Sequence, residues 1–266
     1  MIVDAEPRAA AHPSPARLAF APPGTLALPG SGLVAAPRTG RHRAPGGFVI
    51  RRMSPEDLPF VVPEYLENFP EGFFARLGPA FLTAQCRTYL ASPHARALIA
   101  EAEGIPVAFL LGVTDPAAHR CEVLGGHRRT LLLRGLAGLA LRPRLALHFV
   151  RTRLGRYLRK LMPGGRAVPD PALVQQGITA VLAYVAVSSR ARSGGIGGAL
   201  IDQFVADAYA SGCARVSLVT AVGDSGAGPY YERRGWLPRG ETRTPEGRRL
   251  AAYDLPLREP CTPGTA

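Results

Sequence analysis

Lysine is almost missing from this 266-residue chain: of its 32 basic residues only Lys160 is not arginine. The skew reads as codon composition more than chemistry, although the planar guanidinium is the better partner for phosphate. Cysteine is sparse, and Cys86, Cys121, Cys213 and Cys261 are scattered without C-x-x-C or His-paired spacing. That pattern argues against a zinc site and a disulfide framework, and makes a reducing cytoplasm the simplest expectation. The six histidines are equally dispersed and read as surface or packing residues, so no metal site is expected. No uncharged run within the basic middle of the chain approaches the ~20 residues that a membrane span needs. Acidic residues are lacking altogether from Val123 to Pro169.

What is present suffices for one sizeable α/β domain. Hydrophobic residues make up 47% of the chain, enough for a substantial core at this length. Residues 1–47 carry Pro7, Pro13, Pro15, Pro22, Pro23, Pro29, Pro37 and Pro45 among many Ala and Gly. They show no sustained apolar period, so a disordered leader is expected. Asp4 and Glu6 stand where a signal peptide would be basic. A mis-assigned translation start and a short regulatory tail are both open readings of it. The tail 258–266 is expected to be loose.

From Phe48 the pattern becomes regular. FVIRRM reads as a first strand, and Ser54-Pro55-Glu56-Asp57 as a helix start with Ser as N-cap. A helix to about Asn68, interrupted near Pro63, and a second helical region over about 72–91 follow. Ala97–Glu101 and Pro106–Val113 flank a polar turn and predict a β-hairpin. Val181–Val187 is nearly continuous apolar, as in a central buried strand. Leu200, Ile201, Phe204, Val205 and Ala208 recur at helical spacing up to Gly212. A strand over 214–222, a short helix over 227–234, and strands near 236–242 and 248–257 complete the reading.

The run VAVSSRARSGGIGGAL, from Val185 to Leu200, predicts a strand, a glycine-rich turn and the start of a helix. Glycines 194, 195, 197 and 198 would let backbone approach an anion, with the N–H groups and dipole of the helix start pointing at it. Alone, such a turn is also what any tight β-to-α connection looks like. No Gly-Lys-Ser/Thr follows, which argues against a P-loop, and G-x-G-x-x-G with a downstream acid does not fit. The spacing that fits is R-x-x-G-x-G, on Arg192, Gly195 and Gly197. About thirty residues later comes DSGAGPYYERRGW, from Asp224 to Trp236.

Together these two stretches resemble the GNAT superfamily of acyl-CoA-dependent N-acetyltransferases. The layout extends over 48–257, the specific motifs over 181–236. The resemblance implies an α/β fold, a mixed central sheet flanked by helices, with acetyl-CoA as cosubstrate. It implies that the backbone of Val185, Ala186 and Val187 pairs with the pantetheine arm like an added strand. It further implies that Arg192, Ser193, Gly194, Gly195, Ile196, Gly197 and Gly198 cradle the pyrophosphate. Tyr231 would stand near the thioester sulfur as general acid. Asp224 replaces the Asn usual at that cofactor-binding position, and a carboxylate cannot donate the same hydrogen bond. Trp236 replaces the usual Phe in a core slot.

A thioester is already activated, so the protein has mainly to orient an amine, remove a proton and protonate the departing thiolate. The Val187 N–H is a candidate to polarise the acyl carbonyl. Many members of the superfamily place a Glu early on the cofactor strand, where this chain has Ala180, Val181 and Leu182. Glu67 and Glu71, on the expected acceptor side, are candidate bases through water, and an amine arriving neutral would need none. The alternative function is an acyl-CoA-binding or membrane-surface regulatory protein without catalysis. The acceptor amine and the oligomeric state are not legible.

Residues 116–176 form a long insertion by the superfamily's standards. From Val123 to Pro169 there are eleven basic residues and no acid. Leucines predict two helices separated at Pro143, each with an apolar stripe and a basic face. Three readings compete: a helical cover with solvated arginines, attachment to an anionic membrane surface or recognition of an anionic acceptor, and nucleic-acid binding. No aromatic interleaving supports the third.

Overall fold

The computed structural model describes residues 42–43, 47–142, 144, 146–147, 150–151, 177–223, 226–244 and 247–257. In chain order the elements are β1 (His42–Arg43), β2 (Phe48–Arg52), α1 (Leu58–Asn68), α2 (Phe73–Leu77), α3 (Pro79–Ala91), β3 (Ala95–Ala102), β4 (Ile105–Val113), α4 (Pro116–Glu122), α5 (Arg128–Ala140), β5 (Thr179–Val187), α6 (Ile196–Ala210), β6 (Arg215–Ala221), α7 (Gly228–Arg233), β7 (Leu237–Arg243) and β8 (Arg249–Pro256). The expected leader lies outside the described residues apart from His42–Arg43, which pair with β2 as a short edge strand. The expected tail 258–266 also lies outside them; Leu257, the last described residue, donates its N–H to Ala214 O.

Eight strands form one mixed sheet in the order β1-β2-β3-β4-β5-β6-β8-β7, with β5–β6 its parallel pair. A parallel pair requires a crossover, and α6 supplies it. On that face Phe48, Ile50, Leu98, Leu110, Leu182, Leu200, Phe204 and Val216 close one core. On the other face α1 and α3 cover Ile99, Phe109, Leu111, Val113 and Tyr184. Gly112 is required where α6 crosses β4, because a Cβ there would lie 2.3 Å from the Phe204 ring.

The helix start at Ser54 takes a form that the sequence reading did not anticipate. A single 3-10 turn over Pro55–Asp57 precedes α1, and the Ser54 N–H and Oγ both donate to Asp57 Oδ2. Arg51 then grips both oxygens of the Asp57 carboxylate at 2.7 Å. Burial pushes the Asp57 carboxyl up, but the Arg51 and Ser54 hydrogen bonds outweigh it and hold the group below its ordinary range. Pro63 stays inside an unbroken α1, so the expected interruption is absent.

The strand β5 departs from the uniformly buried strand expected from its composition. Its residues alternate between buried and half-buried. Leu111 pairs with Tyr184 and Gly112 with Leu182, so Ala183 is a bulge opposite no residue of β4. A bulge swaps the faces beyond it: Ala180 and Leu182 join the α6 core, whereas Tyr184 and Ala186 join the core under α1.

Candidate active site

The bulge has a consequence at the next strand. β5 pairs with β6 only over Thr179, Ala180 and Val181, while its pairing with β4 continues to Val187. Beyond Val181 the sheet is split, and one edge of β5 has no strand beside it among the described residues. Ser188 donates its N–H to Val107 of β4. Strand alternation therefore turns the backbone groups of Val185 and Val187 away from β4, into the split, and those of Ala186 towards β4. Of the three residues expected to carry an added strand, Val185 and Val187 have backbone facing the gap. Ala186 faces the α1 side with its methyl group.

The strand runs straight into the anion-type turn. A 3-10 turn over Ser189–Ala191 is followed by Ser193 at φ +68° and Gly195 at φ +73°, and α6 begins at Ile196. Left-handed Ser193 and Gly195 after extended Arg192 bend the backbone sharply just before the helix start, a place where exposed N–H groups can meet an anion. Beyond Gly195 lies open space, with nothing within 4 Å of an added Cβ. Gly197 packs on Val187, where a Cβ would come within 3.2 Å of Val187 Cγ2. A shallow cavity of about 190 Å³ opens here, lined by Phe48, Gly194, Gly195, Gly198, Ala199, Asp202 and Arg234.

Arg192 is exposed and points across the mouth of the split. Its Nε donates to Val187 O at 3.3 Å and its Nη2 to Asn68 Oδ1 at 3.1 Å. On the same loop after α1, the exposed Glu71 pairs with Arg248 at 3.2 Å. The end of α1 is thus held from the glycine turn on one side and from the β7–β8 hairpin on the other. Of the two candidate bases, Glu67 is a solvated helix-end acid and Glu71 is engaged with Arg248.

Tyr231 is buried on α7, in the same core as Val185 and Val187. Trp236 meets it edge-on at 5.5 Å, Tyr230 at 5.3 Å, and Tyr253 lies 6.2 Å away. Burial pushes the Tyr231 phenol up to about 12, so it holds its proton at neutral pH. Trp236 fills the core slot that its place in the motif implied. Asp224 lies outside the described residues.

Three residues at the site went unnoticed in the sequence. Arg234 borders the glycine turn, paired with Asp202 and lying 5.6 Å over the Tyr230 ring. The Asp202 hydrogen bond raises its pKa further, so it is a fixed cation. The signal for it lay in the second motif, which ends Arg233-Arg234-Gly235-Trp236. Tyr184 is 93% buried, 7% being exposed, beside Tyr65 at 4.7 Å and Phe69 at 5.4 Å. Its hydroxyl has no hydrogen-bond partner among the described residues. Nothing in the sequence signalled that. Asn68, the third, was legible only as a helix end.

With this geometry in place, comparison with known proteins gives a consistent result. Residues 160–236 match the family model "Acetyltransferase (GNAT) family". No curated protein matches the chain. Among solved structures, Ard1 from Thermoplasma volcanium is 15% identical, with 80% of this chain and 99% of that one covered at a TM-score of 0.49. The ribosomal-protein-S18-alanine N-acetyltransferase from Escherichia coli is also 15% identical, with 82% and 99% covered at 0.45. The ribosomal-protein-alanine N-acetyltransferase from Brucella melitensis is 14% identical, with 78% and 98% covered at 0.47. The fold is a mixed sheet flanked by helices, and the matched segment carries the split strand, the glycine turn and Tyr231. Both motifs fall inside the matched segment 160–236, so the resemblance read from them is borne out there.

Proposed function

We propose that the protein transfers an acetyl group from acetyl-CoA to a primary amine, by direct attack of the amine on the thioester. The observation that carries this reading is the split edge of β5. Val185 and Val187 turn their backbone groups into it, the Val187 carbonyl held there by Arg192, and the strand leads without interruption into the glycine turn. An extended amide-bearing arm fits such an edge as a strand would, and its anionic end would fall on the turn. Bound acetyl-CoA would supply an acyl group already activated as a thioester.

The chain's own groups account for the rest. The turn 192–198 would hold the pyrophosphate by backbone N–H groups, with Arg192 and Arg234 adding positive charge. The Val187 N–H, aimed into the split, would polarise the acyl carbonyl. Tyr231, kept protonated by burial, would give its proton to the departing thiolate. The amine would enter from the α1 side, past Asn68 and Phe69. Early on β5, Ala180, Val181 and Leu182 offer no carboxylate, so the amine would be consumed in its neutral form, or lose its proton through water. The scattered spacing of the cysteines is in keeping with a reducing, cytoplasmic setting.

The test is steady consumption of acetyl-CoA, followed by release of free thiol, across a panel of primary amines. Amine-dependent turnover supports the reading. Tight CoA binding with no turnover on any amine would favour the non-catalytic, acyl-CoA-binding alternative.

A further inference from the structure

Helix α5 buries one face and leaves a second apolar face uncovered. Leu131 and Leu139 pack on Phe73, Leu77 and Phe81 of α2 and α3. Gly138 lets the helix close on α2, since a Cβ there would lie 2.5 Å from Leu77 O. Arg134 and Arg142 secure the same face by donating to Ala80 O at 2.9 Å and Leu77 O at 3.3 Å. That accounts for the inward half of the helix.

The outward half carries Arg129, Leu132, Leu133 and Leu136, the i, i+3, i+4, i+7 spacing of a single strip. The three leucines are 53%, 68% and 61% exposed. Leu124, at 57%, and Leu141, at 81%, continue the apolar surface at either end of the helix. Arg128 and Arg129 lie exposed on α5, and no acidic side chain occurs from Val123 to Pro169. A cover whose leucines all joined the core would show none of this. No helix among the described residues is long and apolar enough to cross a membrane. Apolar side chains flanked by arginine are the two components by which a helix lies in the headgroup region of an anionic bilayer.

We propose that the outward face of α5 docks the protein on an anionic membrane surface, with Leu132, Leu133 and Leu136 inserting among acyl chains and Arg128 and Arg129 meeting lipid phosphates. α5 lies on the same side of the sheet as α1 and Tyr184, away from α6, so the acceptor side and the docking face share one side of the molecule. The proposal goes beyond the acetyl-transfer reading and does not depend on it.

The experiment is co-sedimentation of the full chain with vesicles of phosphatidylcholine alone, or of phosphatidylcholine mixed with phosphatidylglycerol. It is run at low salt and at ~0.15 M salt, where charges are screened over about 8 Å. The expected result is binding at least about tenfold stronger to the anionic vesicles and weakened by salt, each engaged arginine contributing about fivefold. Leu132→Gln with Leu133→Gln and Leu136→Gln should lower binding by about tenfold or more, because the inserted apolar area is lost. These side chains are exposed, so the variant should keep its melting temperature and its CoA affinity. Three results would overturn the proposal: no sedimentation with either vesicle, equal sedimentation with both, or unchanged anionic binding by the triple variant. Light scattering provides one more outcome: a wild-type dimer that the triple variant converts to monomer, without vesicle binding, would make the face a contact between copies and also overturn it.

Discussion

Arg192 of the glycine turn donates to Asn68 at the end of α1 across 124 residues of sequence, and the same guanidinium bonds the carbonyl of Val187. The side chain best placed to meet a pyrophosphate therefore also spans the mouth of the split where the rest of the cofactor would lie. An arriving phosphate competes with an amide oxygen, and an oxygen that carries charge is the stronger acceptor for a guanidinium. Arg192→Ala should weaken acetyl-CoA binding by about ten- to a hundredfold, in line with one lost charge-assisted hydrogen bond of about 1.5–3 kcal/mol. Asn68→Ala should leave binding unchanged or tighten it by about threefold, since Arg192 no longer has to leave a partner, a few tenths to about 1 kcal/mol. Calorimetry on both variants tests the pair, and equal losses would mean that the contact is structural.

Tyr231→Phe keeps the ring against Trp236 and Tyr253 and removes only the hydroxyl. Turnover should fall by about ten- to a thousandfold with CoA affinity nearly unchanged. The pH dependence has a definite sign. Because burial pushes the phenol up to about 12, it stays protonated through neutral and mildly alkaline pH. The rate should therefore rise with pH as the amine loses its proton, with no descending limb near pH 10, where an ordinary tyrosine would ionise. A descending limb near 10 that disappears in Tyr231→Phe would show that the group is less shielded than its burial implies.

Tyr184→Phe separates stability from function. A buried hydroxyl without a partner costs roughly 1–3 kcal/mol of desolvation, so its removal should leave the melting temperature unchanged or raise it. If the hydroxyl meets the acceptor, the same variant should raise the KM for the amine while the KM for acetyl-CoA stays put. Lower thermal stability in Tyr184→Phe would mean that the group is satisfied in solution.

The Arg51–Asp57 pair should make the fold acid-sensitive in a defined window. The carboxyl is held below its ordinary value, so its contribution is present above about pH 4, the unfolded pKa, and is lost as pH falls through the folded one. Asp57→Asn should cost about 1.5–3 kcal/mol at neutral pH, since Arg51 would lose one charged partner and keep Glu101, and should flatten the stability curve below pH 4. Chemical denaturation at neutral and acid pH measures both.

Local signals made the cofactor half of this chain legible. The glycine turn, the R-x-x-G-x-G spacing and the second motif each announce themselves within about a dozen residues. The hairpin around Glu103 and Gly104 was equally plain. The bulge at Ala183 was not, because it exists only relative to β4, and no periodicity in TAVLAYVAV marks the residue that will lack a partner. The division of α5 into two faces was hidden for the same reason. Leucines stand on both sides of that helix, and glycine at 138, where backbone can close on Leu77, decides which side turns inward. Asn68 and Tyr184 became site residues only once distant segments met.

The central claim is that the turn 192–198 and the open edge of β5 hold an acyl-CoA. Calorimetric titration of acetyl-CoA into the wild-type protein and into Gly195→Asp tests it most directly. Gly195 is at φ +73° and faces open space, so aspartate would place a strained side chain and a negative charge where phosphate must sit. The account predicts saturable binding by the wild type and its loss in a variant whose circular dichroism shows a folded protein. Equal affinity in both, with the variant folded, would contradict it.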